Sequence, residues 1–120
     1  MTIVKLVPQD FELVSGNDKQ LFFTTLDQND AVVDITASTI TWAMSEQAKS
    51  KSRLITYTSP ANVTIIDAIN GRFRVDVLAA DTETLKARDY YHEARITDSL
   101  GKKTTVATGT VKLLDNVIDI

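Results

Sequence analysis

Cysteine is absent from this chain, so it has neither a disulfide framework nor a thiolate nucleophile or ligand, and its fold does not depend on an oxidising compartment. Histidine occurs once, and a single imidazole without neighbouring ligands or a nucleophile makes neither a zinc site nor a catalytic triad. No apolar run reaches the roughly 20 residues that a bilayer requires, and Met1 to Pro8 lacks the charged and long apolar regions of a signal peptide. The expectation is a soluble protein made in the cytoplasm. Positive charge is not in excess: 13 Lys and Arg stand against 16 Asp and Glu, for a net charge of −3. Apart from Lys49 to Arg53 and Lys102-Lys103 the cations are scattered, so there is no basic field to make nucleic acid an expected partner. Glycine-rich phosphate loops, G-x-S-x-G and paired zinc ligands are also missing. These absences leave no enzymatic chemistry, cofactor or metal to expect.

What is present is ordinary globular composition, 43% hydrophobic and 24% charged, over 120 residues. That is enough for one core without staples, and far from the signature of disorder. The chain is read as one domain, with residues 1–15 as an N-terminal arm or edge strand and 115–120 as a tail. Its centre is the stretch Asp89 to Asp98, in which Tyr90, His92, Ala94 and Ile96 alternate with Tyr91, Glu93, Arg95 and Thr97. Asp98 to Gly101 supplies a turn, and Lys102 to Leu114 returns as the second strand of a long hairpin. Val106 has even parity whereas Val111 and Leu113 have odd, so a residue is slipped between them, with Gly109 the expected bulge.

Toward the N-terminus, Pro8 separates two short apolar segments, Ile3 to Val7 and Phe11 to Val14, and marks an edge or a break. Gln20 to Leu26 has strand propensity on both faces, with Phe22 and Leu26 on the second one. The turn Asp27 to Asp30 leads to an expected strand over Ala31 to Ile35. The next strand, Ser38 to Ser45, puts Trp42 on its buried face, where the indole N–H needs a threonine hydroxyl or backbone carbonyl. Glu46 to Arg53 has no apolar stripe and reads as a mobile loop. Leu54 to Thr58 and Val63 to Ile66 are short strands; Asn70-Gly71 signals a hairpin turn into the alternating Phe73, Val75 and Val77. One helical turn is expected within Ala79 to Leu85, near 81–86, capped by Asp81 or Thr82, with Leu85 plugging the core.

About 7–9 strands with turn signals every 8–12 residues or so predict an all-β, antiparallel sandwich. A tryptophan in a central strand and a tyrosine at a corner make it immunoglobulin-like. Tyr90 is the corner candidate, its hydroxyl reaching back to the Asp81 to Ala87 connection. Trp42, Phe73, Tyr90, His92 and Ile96 are the expected core, His92 as a hydrogen-bonded structural histidine. Asp27, Asn29, Asp30 and Asp34 are explained by turn chemistry, because the ligand order of a calcium loop is absent. Phe22, Leu26, Val117, Ile118 and Ile120 are candidate interface residues. Tyr57, Tyr91 and Trp42 would line a glycan-binding face if they shared one.

Several phrases together resemble small domains of tailed-phage and prophage structural proteins, notably the immunoglobulin-like N-terminal domain of baseplate upper proteins. They are Gly16-Asn17-Asp18, Phe23 to Asp27 with Val33 to Thr36, and Thr39 to Ser45. Asp67 to Gly71 with Phe73, Asp81-Thr82 with Leu85, and Tyr90 to Glu93 follow, then Ile96 to Asp98 with Gly101, and Thr105-Val106 with Gly109. Where such domains carry glycine in the first hairpin turn this chain has Asn29-Asp30, and a second glycine after Ile35-Thr36 is replaced by Ala37. The resemblance implies a virion building block, in tail, baseplate or head, that docks to copies of itself or to other virion proteins. It implies no catalytic, cofactor or metal residues. The alternative is a carbohydrate-binding module of a phage adsorption apparatus.

Overall fold

The computed structural model describes residues 4–47 and 53–117. Among these residues nine strands and one helical turn follow in chain order: β1 (Val7–Pro8), β2 (Phe11–Val14), β3 (Lys19–Thr24), β4 (Thr39–Ser45), β5 (Arg53–Thr58), β6 (Val63–Asp67), β7 (Arg72–Val77), α1 (Ala79–Thr82), β8 (Arg88–Thr97) and β9 (Lys103–Leu114). They form two sheets. One has the order β1-β9-β8-β4-β5 with β2 also on β9, and the other has the order β3-β7-β6. Pairing is antiparallel except at β1 and β2, which run parallel to β9. The break at Pro8 is real: both pieces of the arm lie on one neighbour, Val7 opposite Ala107 and Phe11 opposite Val111.

Period-2 alternation decides which side chains meet between the sheets. Tyr90, His92, Ala94 and Ile96 of β8 point inward onto Ile40, Trp42 and Met44 of β4, and Phe73, Val75 and Val77 of β7 close the core from the other sheet. Trp42 and Phe73 are fully buried. Phe23 stacks on Phe73 with ring centroids 5.0 Å apart, joining β3 to β7 across the register that sets them opposite each other. Leu85 packs against the core as the chain passes from α1 to β8.

Four local expectations are corrected. Residues 31–35 form no strand, only the bridge between Leu26 and Val32. Their amides are divided instead: Val33 donates to Thr25, Ile35 to Ala68, and Ala31 to the Asp27 carboxylate. The slip in β9 falls earlier than Gly109. Ala94 opposes Ala107 and Arg95 opposes Thr105, so Val106 is the extra residue, and the bulge turns both Val106 and Ala107 into the core. The helical turn occupies Ala79–Thr82, the start of the expected stretch, but its cap differs. Neither Asp81 nor Thr82 caps it; the Ala79 N–H goes to the Asp18 carboxylate at 2.8 Å. Thr82 ties the neighbouring turn instead, its hydroxyl accepting from Gly16 N–H and its carbonyl from Ser15. Finally, β5 begins at Arg53, one residue inside the expected loop; residues 48–52 of that loop lie outside the described residues.

Candidate interaction surface

His92, Tyr57 and Tyr90 inside the sandwich are committed to structure. Trp42 Nε1 donates to His92 Nδ1 at 3.1 Å, not to the threonine or carbonyl expected from the sequence, because His92 faces Met44 across the β4–β8 ladder, one inward step from Trp42. With Nδ1 accepting, the proton sits on Nε2 and bonds the Gln9 carbonyl at 2.5 Å. Both ring nitrogens are therefore occupied. Burial holds the imidazole below the usual histidine range, against smaller upward pulls from the Gln9 carbonyl and Asp10. Tyr57 donates to Asp81 Oδ2 at 2.5 Å and accepts from Leu78 N–H at 3.2 Å. Burial raises the phenol's pKa, with Asp81 adding to the effect. Tyr90 donates to the Lys86 carbonyl at 2.6 Å, the expected corner contact. None of these groups aims a free nucleophile at solvent. Among the described residues no three His, Asp or Glu side chains converge as metal ligands, and no helix is long and apolar enough to cross a membrane.

The aromatic residues do not share a face. Trp42 and Tyr57 stand opposite each other on β4 and β5, both pointing inward with ring centroids 5.7 Å apart. Tyr91 points outward and is half exposed. The alternation that buries Trp42 and Tyr57 removes two of the three platforms on which a sugar would stack, so the expected glycan face is not assembled.

The outward surfaces carry the remaining candidates. Phe22 is 60% exposed on the outer face of the three-stranded sheet, directly opposite Arg74. Leu26 is half-buried, because it closes a bridge to Val32 and its carbonyl accepts from Lys5 N–H. The arm runs beside Phe22, where Gln9 Nε2 donates to its carbonyl at 3.1 Å. Val117 is 98% exposed beyond β9, while Ile118 and Ile120 lie outside the described residues. Phe22 and Val117 thus remain as exposed apolar groups, and Leu26 does not join them.

Two recesses were not foreseen. One, of about 490 Å³, runs along β5 beside Tyr57, Leu78 and Asp81. The other, of about 340 Å³, opens at the far end between the 27–38 connection and the β8–β9 turn. Thr25 lines the second, its hydroxyl buried without a hydrogen-bond partner among the described residues. The signal for both was weak in the sequence, because each lies where segments distant along the chain meet.

Strand order, an inter-sheet tryptophan on the central strand β4 and a tyrosine corner on β8 define the class: the chain is an immunoglobulin-like β-sandwich. No family model matches the chain, and no curated protein matches it. Among solved structures it is similar to extracellular domains 3–5 of Drosophila OTK, at 11% identity over 95% of this chain and 34% of that one, with a TM-score of 0.35. The chain spans about a third of that structure, and the class is drawn from its own strand order.

Proposed function

We propose that this domain is a non-enzymatic building block of a phage or prophage particle, acting through protein–protein contacts with copies of itself or with other virion proteins. The observation that carries the contact reading is Phe22, a large aromatic side chain left 60% exposed on the outer face of the edge strand β3. An aromatic ring there costs solubility and contributes nothing to the core, which is the pattern of an interface anchor. The likeness of residues 16–113 to small immunoglobulin-like domains of tailed-phage structural proteins supports the virion setting.

Light scattering behind size exclusion, over a wide concentration range, tests the contact reading. A defined closed oligomer is expected, and Phe22→Ser is expected to shift it toward monomer without lowering the cooperativity of unfolding. Mass spectrometry of purified particles encoded with this gene tests the setting, with the chain expected among the particle proteins. A monomer at every concentration, together with absence from particles, overturns the proposal.

A further inference from the structure

His92 is the bolt between the core and the N-terminal arm. Its Nδ1 side is fixed by Trp42 at 3.1 Å and its Nε2 side by the Gln9 carbonyl at 2.5 Å. The Gln9 carbonyl reaches this deeply because Gly109 stands opposite His92 on β9; a Cβ at Gly109 would lie 1.9 Å from the Gln9 oxygen. Phe11 then closes the edge of the imidazole at 4.9 Å between ring centroids. His92 is 3% exposed, and on its Nε2 side it is covered by the Gln9 carbonyl and the Phe11 ring.

We infer that the arm carrying β1 and β2 is an acid-released strap: protonation of His92 breaks the Trp42 bond and lifts residues 7–14 from β9 while the two sheets stay packed. The imidazolium has N–H on both nitrogens, so Trp42 Nε1–H then faces a donor instead of an acceptor. The charged ring must also be hydrated, and it reaches water by displacing Gln9 to Phe11. Its other neighbours offer no charge to hold it inside: Trp42 and Met44 on β4, Phe23 on β3, Phe11 on β2 and Gly109 on β9. Glu93 and Arg95 on its own strand point to the opposite face. Asp10 is the exception, a carboxylate in the strap itself that already accepts from Thr110 N–H at 2.8 Å. Asp10 and the Gln9 carbonyl favour the charged ring while the strap is in place, and release follows because burial, the larger effect, opposes the charge. Release uncovers the β9 edge from Ala107 to Leu114, whose backbone groups then face solvent.

Hydrogen exchange read by NMR on the unaltered chain at pH 7.5 and pH 5, corrected for intrinsic rates, is the test. The amides of Gln9, Ser15 and Thr110, which bond across the strap–β9 seam, are expected to lose at least tenfold in protection at pH 5 while those of β4 and β8 hold theirs. The single indole N–H resonance should shift with the same midpoint as the His92 ring. Uniform loss of protection through the whole domain, or an unchanged seam with the imidazole titrated, overturns the strap. His92→Gln, which keeps polar groups toward both neighbours, is expected to abolish the pH difference; if it does not fold, the indole titration decides.

Discussion

At the residue scale, two side chains sit on backbone that glycine adopts more readily. Asp30 and Ala37 both have φ of 62°, in the left-handed region. Asp30 tolerates it, helped by the Asp27 carboxylate, which gathers the N–H groups of Asn29 and Ala31 and leaves the turn little freedom. Ala37 has no polar group with which to compensate. An L-residue in this conformation costs about 1–2 kcal/mol, part of which glycine gives back as unfolded-state entropy. Ala37→Gly is therefore expected to stabilise the domain by about 1 kcal/mol, read as a rise in the urea midpoint at unchanged slope; a lower midpoint would show that Ala37 is not strained.

At the element scale, β9 is the strand on which the rest depends. It pairs with β8 on one edge and with β1 and β2 on the other, and its bulge at Val106 resets parity so that Ala107, Val111 and Leu113 all face the core. Gly109 in its middle is not the bulge but the point of close approach for the arm. Any side chain there meets the Gln9 backbone, which cannot move without breaking both the His92 bond and the Thr108 carbonyl's bond to Gln9 N–H. Gly109→Ala is expected to cost about 2 kcal/mol by overpacking and to expose the seam to exchange, whereas Gly101→Ala, with nothing within 4 Å of its added Cβ, costs only the strain of its φ of 83°. Equal costs at the two positions would remove the close-approach account.

At the scale of the whole molecule, the two ends of the chain meet: Phe11 opposes Val111 and Val14 opposes Leu114. The sandwich is closed only when residues about a hundred positions apart have paired, which makes the C-terminal strand indispensable and the tail dispensable. Truncation after Leu114 removes one tail contact of the described residues, Asn116 Nδ2 to the Ser15 carbonyl at 2.8 Å, and is expected to cost about 1 kcal/mol with cooperative melting retained. Truncation after Thr108 removes Val111 and Leu113 from the core and is expected to leave the chain unfolded by circular dichroism. Loss of folding in the shorter truncation would place the tail in the core.

The sequence by itself determined the strands of the β4, β7 and β8–β9 region, the inward set Trp42, Phe73, Tyr90, His92 and Ile96, and the tyrosine corner, because alternation and turn chemistry are local and survive without knowledge of neighbours. It also marked Phe22 as an apolar residue on the wrong face. Only the tertiary structure decided what long-range contacts decide: that Trp42 bonds His92, that Tyr57 turns inward, that Asp18 caps a helix sixty-one residues away, and that Gly109 makes room for Gln9. A hydrogen-bond partner or a point of close approach is a property of two segments, and nothing in either segment alone names the other.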